Sequence, residues 1–331
     1  MTQPQPTEHN TRQTGGRATP ADDRLLRAAF FHPRYWGTWL LLAVLRLSVL
    51  LLPRRGRSAL GTALGAVGWH LAREPRATTL RNLELCYPQL TPRERTALAR
   101  ETFRHLGLGV FEIATAWWAT EQEIASLYEI IGREHLQAAQ VAAQEEGRGV
   151  LLLSAHMIGL EISGAMLNQL IDFKALYRED RNPLIATVVR RARRRRIAGV
   201  ISNRDMRAML RALNHGETIW YAPDQNISPR RGGLFAPFFG IAAATTPAGA
   251  RLAERTGCLV LPYYPKRLPD GRYQLIFEPP LEPFPAAGED LEAATARVNA
   301  LIEHWVRAQP EQYFWAHKRF KSRPPETPRR Y

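Results

Sequence analysis

The chain has 331 residues, enough for one large α/β domain or two smaller domains. Its formal net charge of +14 and isoelectric point of about 10.4 indicate an anionic partner: nucleic acid, a phospholipid surface, or an acidic ligand or protein. Its two cysteines, Cys86 and Cys258, exclude a disulfide framework and are typical of a reducing compartment.

The N-terminal part of the sequence changes character twice. Residues 1–22 are polar, with Pro, Gly, Thr and Gln, and predict a disordered tail. Residues 23–57 predict a membrane anchor segment, because residues 36–52 are almost wholly apolar, with tryptophans at one end and arginines beyond both ends. This apolar stretch begins too far into the chain for an ordinary secretory signal peptide, and no small-residue cleavage site accompanies it.

Three interpretations of residues 36–52 are open. A helix of this length measures about 26 Å, slightly less than the hydrocarbon core, so it is either a short spanning anchor or a helix embedded in one leaflet. Arg46 near its middle costs about 2.5–3.5 kcal/mol in a membrane unless its guanidinium reaches the interface. The third interpretation is a buried core helix, but the aromatic and basic flanks favour membrane association.

Residues 58–331 predict the main folded domain. Apolar residues at helical spacing, with Thr91 as an N-cap and Pro92 after it, first predict helices over residues 58–72, 90–118 and 121–145. Short apolar runs bounded by Gly, Pro or Asp then predict strands at 149–154, 174–178, 218–223, 258–265 and 272–280. Further helical segments lie among these strands, at 158–170, 183–197, 204–214, 247–256 and 289–308. This alternation predicts an α/β fold in which a largely parallel sheet is flanked by helices.

The stretch "GVLLLSAHMIGLEISG", residues 149–164, holds the candidate chemistry. A chain with nine histidines and this acidic content contains about one His-x4-acid pair by chance, so the spacing of His156 and Glu161 alone carries no weight. Placement is more informative: His156 falls in a strand-to-helix turn, at the sheet edge where α/β folds bind ligands. Glu161 in the following helix could accept a hydrogen bond from one ring nitrogen, leaving the other to take a proton. The alternative is a structural histidine with an unrelated acid nearby.

Other chemistries have no support in the sequence. It contains no HExxH, CxxC or His/Cys cluster for zinc, no G-x-S-x-G nucleophile elbow, and no Walker A or G-x-G-x-x-G nucleotide motif. The arginine-rich run "VVRRARRRRIAG", residues 188–199, could bind nucleic acid, but it lacks a recognised motif and interleaved aromatic residues. Arginines that bind lipid phosphates explain the same charge, with one or two of them inside a site.

Seven stretches, taken in order, are specific for one family. They are "HPRYWGTW", "LRNLELCYPQL", "SAHMIGLE", "LYREDRNPL", "WYAPDQN", "FAPFFGIAAATT" and "HKRFKSRPP". Over about residues 28–331 the chain resembles the bacterial lipid A late acyltransferases, the lauroyl and myristoyl enzymes of Gram-negative outer-membrane lipid synthesis, and it is most similar to the lauroyl branch. The resemblance implies an N-terminal membrane-associated helix followed by a glycerolipid-acyltransferase-like α/β domain over residues 58–331.

The resemblance also implies roles for five residues. His156 matches the family histidine, a general base, and Glu161 matches the acid that orients it. Arg193 falls where the family has a required arginine, Arg178 belongs to the "YR…NPL" motif, and Asp224 matches the aspartate of a Pro-Asp pair. Arg193 and Arg178 are candidates for binding an oxyanion or the substrate's anionic groups, and Asp224 is a candidate for contacting the substrate or orienting an arginine. No acyl-enzyme is required.

The expected reaction moves an acyl chain from acyl carrier protein to a hydroxyl on a hydroxyacyl chain of Kdo-lipid IVA, without metal or cofactor. The expected location is the cytoplasmic face of the inner membrane, with phospholipid and not nucleic acid as a partner. "MIGL" after His156 and "PDQNIS" depart from commoner family sequences and leave the acyl chain open between lauroyl, myristoyl and palmitoleoyl. A related membrane acyltransferase with another glycolipid acceptor, such as a mannosylated phosphatidylinositol, is the alternative, and a basic nucleic-acid-binding protein is a more distant one.

Overall fold

The computed structural model describes Leu25 and residues 27–177, 180–194, 196–202 and 205–331. The predicted disordered tail, residues 1–22, lies outside the described residues. Within the described ranges, the main sheet has seven strands in the order β1-β9-β8-β2-β5-β3-β4, and β6 and β7 form a separate hairpin. The strands are β1 Tyr128–Ile131, β2 Val150–Leu153, β3 Lys174–Tyr177, β4 Gly199–Ser202, β5 Thr218–Tyr221, β6 Leu234–Phe238, β7 Ile241–Thr245, β8 Leu259–Arg267 and β9 Tyr273–Phe277.

The main sheet is mixed and largely parallel, as predicted. Strand β2 lies at its centre and is parallel to both neighbours, β5 and β8. All four β2 residues are buried, which explains their continuous apolar run, because helices cover both faces of such a sheet. Among the strand pairs that the structure describes in this sheet, β8 and β9 alone are antiparallel.

Helices surround the sheet and precede it. They are α1 Trp36–Leu51, α2 Arg54–Leu71, α3 Arg73–Cys86, α4 Pro92–Trp118, α5 Glu121–Ala125, α6 Arg133–Gln144, α7 Leu160–Leu167, α8 Pro183–Arg194, α9 Met206–Asn214, α10 Ala248–Thr256 and α11 Leu291–Ala308. The predicted start of α4 is confirmed, since Thr91 and Glu94 form a reciprocal capping box and Pro92 follows the cap. The boundary predicted after Arg57 falls inside α2, which begins at Arg54.

Several predicted elements were wrong or missing. The helix predicted over 121–145 is interrupted by β1, whose four residues extend the sheet beside β9. Helix α3 was not predicted, because Arg73–Cys86 is too polar to show a strong apolar face. Strands β4, β6 and β7 were also missed. The β6–β7 hairpin turns on Phe239 and Gly240, both with positive φ, and a turn with Phe in that conformation is hard to foresee.

Helices α2 and α4 pack against each other unusually closely, through glycines. A Cβ added to Gly65 would lie 2.8 Å from the Cα of Arg104, and one added to Gly61 would lie 2.8 Å from the Cα of Leu108. Gly107 of α4 faces the backbone of both α2 glycines in return. These backbones approach so closely because no side chain separates them, as at small-residue helix interfaces.

Helix α1 lies on the domain along one face only. Leu42, Leu45 and Ser48 are buried, and Leu45 packs with Phe111 and Ala114 of α4. By length and composition, Pro33–Leu51 could cross a membrane, and only 22% of its most apolar window is buried. That small fraction argues against the interpretation of a buried core helix.

Large apolar side chains are left exposed on both α1 and α2. We call this set the apolar platform. Its large members are Trp36, Leu40, Leu41, Val44, Leu47, Leu50 and Leu51 of α1, and Leu60, Leu64, Val67 and Leu71 of α2. On a helical wheel Arg46 lies roughly 120° from the middle of the α1 stripe, near its border with the buried face.

The C-terminal segment, residues 309–331, crosses back over the domain. Its residues Trp315, Arg319 and Phe320 are almost fully buried. The side-chain amide of Asn82 in α3 donates to the carbonyl oxygens of Trp315 at 2.7 Å and His317 at 2.8 Å, and the Tyr331 hydroxyl bonds to the Asn82 amide oxygen. The segment is therefore an integral part of the core.

Candidate active site

His156 lies where the sequence predicts it, in the turn between β2 and α7. Strand β2 ends at Leu153 and α7 begins at Leu160, so the histidine is at the carboxyl edge of the sheet. The neighbouring parallel strand β5 ends at Tyr221, and Asp224 follows it. Because parallel strands end at the same edge, the two turns bring His156 and Asp224 together.

Asp224 holds His156 by two hydrogen bonds. Its Oδ1 lies 2.7 Å from the imidazole Nδ1, and its Oδ2 accepts the backbone N–H of His156 at 3.0 Å. Because a carboxylate only accepts, Nδ1 carries the hydrogen and the neutral ring presents an unprotonated Nε2. This nitrogen has no hydrogen-bond partner among the described residues. His156 is therefore arranged as a base oriented by a buried carboxylate.

The electrostatics suit this pair. Burial alone would lower the pKa of His156, but the charge and hydrogen bond of Asp224 outweigh burial and raise it above the ordinary value of 6.5. Burial would raise the pKa of Asp224, yet His156 and the more distant Arg319 bring it down to about 2. Asp224 is 2% exposed at its side chain, whereas His156 is 30% exposed and can meet a substrate.

Buried residues behind Asp224 fix it in turn, and they were not singled out from the sequence. The hydroxyl of Tyr313 lies beside Asp224, and burial followed by that negative charge holds the pKa of Tyr313 far above its usual range. Arg319 contributes a nearby positive charge and donates to the carbonyl oxygen of Ala244 at 2.9 Å and the hydroxyl of Thr245 at 2.6 Å. Arg319 belongs to the "HKRFKSRPP" stretch, which was the only signal for it.

Glu161 does not hold the imidazole. The predicted hydrogen bond from the His156 imidazole to Glu161 is wrong in this structure, because the imidazole Nδ1 donates to Asp224 instead. Glu161 instead makes a two-oxygen contact with the Arg193 guanidinium, at 2.8 Å from Nη2 and 3.3 Å from Nε, and accepts from the Trp117 indole at 3.2 Å. The first turn of α7 therefore aims the carboxylate at α8, and Glu161 positions an arginine.

An apolar cavity of about 270 Å³ joins these groups. His156, Glu161 and Arg193 line it together with Trp117 and Trp220. Its remaining wall comes mainly from small and aliphatic residues of α4, α7, β3 and α8, among them Ala116, Leu160, Gly164, Ala165, Phe173, Ala175, Leu176, Ala192 and Ile197. The lining of this cavity suits an apolar ligand, and such a ligand would lie beside His156.

The arginine-rich run divides as predicted between surface and site. Arg193 and Arg196 line the cavity, and Arg196 is held by the carbonyl oxygen of Ala119 at 2.6 Å and by Glu121 at 2.8 Å. Arg178, the other predicted anion-binding residue, lies outside the described residues. Within the described ranges, no group of three His, Cys, Asp or Glu side chains could hold a metal ion.

A histidine–aspartate pair at the carboxyl edge of an α/β sheet, opening on an apolar cavity, is the arrangement expected of an enzyme that uses a general base on an apolar substrate. The family model described as bacterial lipid A biosynthesis acyltransferase matches residues 26–322. The chain therefore belongs to the bacterial lipid A biosynthesis acyltransferases, and the resemblance seen in its sequence is confirmed.

Three curated relatives from Escherichia coli (strain K12) cover nearly the whole chain. The lipid A biosynthesis lauroyltransferase is 37% identical over 305 residues, 92% of this chain and 97% of the relative. The palmitoleoyltransferase is 35% identical over 297 residues, 89% of this chain and 94% of the relative. The myristoyltransferase is 28% identical over 302 residues, 90% of each chain. The protein is thus an acyltransferase of lipid A biosynthesis.

Proposed function

We propose that the protein transfers a lauroyl chain from acyl carrier protein to a hydroxyl of a hydroxyacyl chain on Kdo-lipid IVA, with His156 as general base. The observation that carries the proposal is the His156–Asp224 pair: His156 lines the apolar cavity, and its Nε2 has no hydrogen-bond partner within the described ranges. Identity to the lauroyltransferase supports the choice of lauroyl, and the similar identity to the palmitoleoyltransferase makes that chain the main alternative.

In the proposed reaction, Nε2 takes the proton of the acceptor hydroxyl as its oxygen attacks the thioester carbonyl carbon. A carbon–oxygen bond forms, and the carbonyl electrons move onto its oxygen. Collapse of this intermediate breaks the carbon–sulfur bond, and the imidazolium returns its proton to the leaving thiolate. Asp224 stabilises the imidazolium between the two steps through Nδ1–H.

Arg193 is proposed to stabilise negative charge beside the base, either on the oxyanion or on an anionic group of the substrate. Glu161 holds the guanidinium of Arg193 with both carboxylate oxygens and itself accepts a hydrogen bond from Trp117. This arrangement keeps Glu161 in the site without hydrogen-bonding it to the imidazole. Its proposed role is to position Arg193.

The apolar platform is proposed to embed in the cytoplasmic leaflet of the inner membrane. Its exposed leucines on α1 and α2 bury apolar area in lipid, and Arg54 and Arg55 at the start of α2 lie where anionic headgroups would meet them. Because α1 also packs on α4 and α8, the platform holds the acyltransferase domain against the surface where its lipid acceptor resides.

The proposed function predicts a specific product from washed membranes that contain the full chain. With lauroyl-acyl carrier protein and Kdo-lipid IVA, mass spectrometry should show the acceptor gaining one lauroyl group, and His156→Ala should abolish this gain because no base remains. Parallel donors from C10 to C16 identify the preferred chain, and a mannosylated phosphatidylinositol acceptor tests the alternative. No gain with any donor would refute the function, and activity in the soluble fraction would refute the membrane proposal.

Gly164 offers a test of the apolar cavity as the acyl site. A Cβ at this α7 position meets no atom within 4 Å, so Gly164→Leu should fill part of the cavity without disturbing the helix. We expect selectivity to shift toward shorter donors, by about fourfold for each methylene that no longer fits. Relative kcat/KM across the donor panel measures the shift, with Gly164→Ala as the graded control. An unchanged donor profile in a stable Gly164→Leu protein would place the chain elsewhere.

A further inference from the structure

A second cavity adjoins His156 on its polar side. It has a volume of about 720 Å³ and shares only His156 and Leu176 with the apolar cavity, among the residues that the structure describes. Its walls come from the start of α3, the loop that follows Asp224, and the C-terminal segment. We call this second cavity the polar chamber. His156 therefore lies between the apolar cavity and the polar chamber, so a group in either one can reach its ring.

The walls of this polar chamber are joined by hydrogen bonds. Asn226 donates through its side chain to the Ser322 hydroxyl at 3.2 Å and accepts from the Ser322 backbone N–H at 2.9 Å. The backbone N–H of Asn226 donates to Nε2 of His317 at 3.0 Å. Two segments far apart in sequence are thus joined by hydrogen bonds into one wall, so the shape of the chamber is defined by the fold.

The chamber is positively charged at neutral pH. Arg231, Lys318 and Lys321 line it, and the one carboxylate among its described lining residues is Glu74, which pairs with Lys318 at 2.7 Å. Arg231 and Lys321 have no carboxylate partner within the described parts of the chain. His317 adds no charge, because burial and neighbouring cations lower its pKa to about 4 and its Nε2 accepts a hydrogen bond.

We propose that this chamber binds the anionic oxygen groups of a substrate, phosphate or carboxylate, through Arg231 and Lys321. The inference rests on the proposed function, since it places the anionic part of one substrate opposite the acyl chain across His156. Two cations without carboxylate partners among the described residues attract such groups at little cost, because no ion pair that the structure describes must be broken. The same chemistry is present in the acceptor's phosphates and Kdo carboxylates and in the phosphodiester that links the donor's pantetheine arm to its carrier protein.

The acceptor is the expected source of these groups. With the donor acyl chain in the apolar cavity, the acceptor hydroxyl must approach Nε2 from another direction. The polar chamber opens onto the same ring. An acceptor held there by its charged groups would have its position relative to His156 set before reaction.

Equilibrium binding to the detergent-solubilised full chain tests the inference without turnover. The probes are Kdo-lipid IVA, forms of it that lack the phosphates or the Kdo sugars, and acyl carrier protein with and without its phosphopantetheine arm. Arg231→Ala combined with Lys321→Ala should weaken Kdo-lipid IVA binding by about 10- to 100-fold. For the acceptor form that lacks the group bound in the chamber, the double variant and the wild type should bind almost equally. The two side chains then have no partner to lose, as expected when residue and group form one interaction.

Arg230→Ala is the matched control, because Arg230 lies on the same short helix, Pro229–Arg231, but does not line the chamber. It should change binding less than about threefold, and thermal melting should show that all variants are folded. If the double variant instead loses affinity for acyl carrier protein only when the phosphopantetheine arm is present, the same anion site belongs to the donor. Equal affinity of the double variant and the wild type for every probe would overturn the inference, whereas failure of the proposed function would appear separately, as absence of product from the wild type.

Discussion

Replacement of Asp224 by Asn should lower kcat by about 10²- to 10⁴-fold with the fold retained. The amide has nearly the shape of the carboxylate but no charge, so it cannot stabilise the imidazolium. Its NH2 group can also face Nδ1 as a donor, which would place the ring hydrogen on Nε2 and remove the base. Steady-state rates with saturating donor and acceptor, together with a melting curve, measure the effect.

The pH profile of the same variant separates charge from structure. Because neutral His156 is the active form and Asp224 raises its pKa, wild-type kcat/KM should rise with pH through an inflection above 6.5. Asp224 itself, with a pKa of about 2, remains ionised throughout this range. In Asp224→Asn the raising influence is lost, so the inflection should move to lower pH while the plateau falls.

Glu161→Gln is the matched comparison, since it makes the same chemical change in the other carboxylate of the site. The neutral amide would hold Arg193 less well than the carboxylate does, so we expect lower activity but an inflection at the wild-type pH. If Glu161→Gln rather than Asp224→Asn moved the inflection, Glu161 would be the partner of the imidazole during the reaction, the role that family resemblance implied for it.

Gly65→Ala should lower the free energy of unfolding by about 2–3 kcal/mol, a large effect for a single added methyl group. The new Cβ would lie against the backbone of Phe103 and Arg104 in α4, and backbone cannot move aside as a flexible side chain can. Helices α2 and α4 would have to separate along their whole contact. Thermal or denaturant unfolding in detergent measures the loss.

Gly68→Ala provides the control on the same helix. Its Cβ would meet only the Phe103 ring, at 3.6 Å, among the described residues, and this is an ordinary contact. The better helix propensity of alanine should therefore leave stability unchanged or raise it by up to about 1 kcal/mol. Equal stability of Gly65→Ala and Gly68→Ala would mean that α2 and α4 are not packed this closely.

The sequence predicted the position of His156 because that position depends on local signals. A four-residue buried strand, a turn and a helix follow one another along the chain, and the sheet edge follows from their order. The exposed apolar face of α1 could be predicted for the same reason. The exposed apolar face of α2 could not be predicted. Alanines and glycines separate the leucines of α2 in sequence, and which face of α2 is exposed depends on which face α4 covers.

The partner of His156 could not be predicted, because it depends on which strands are neighbours. Asp224 lies 68 positions away in sequence, and only the pairing of β2 with β5 brings it to the ring. Glu161 is near in sequence but is directed by α7 toward α8. Resemblance singled out both carboxylates but assigned the contact with the imidazole to Glu161, whereas the structure gives it to Asp224. Tyr313 and Arg319 are still more distant and were not singled out.

The buried C-terminal segment bears on the order in which the protein is made. Helices α1 and α2 are synthesised before the rest of the domain and, if the apolar platform binds a membrane as proposed, can meet it while later segments are still being made. Arg319, whose charge acts on Asp224, and His317, which lines the polar chamber, lie far behind these helices in the sequence. We therefore expect a nascent chain to remain inactive until the segment that carries these two residues has docked, after the apolar platform has already been made.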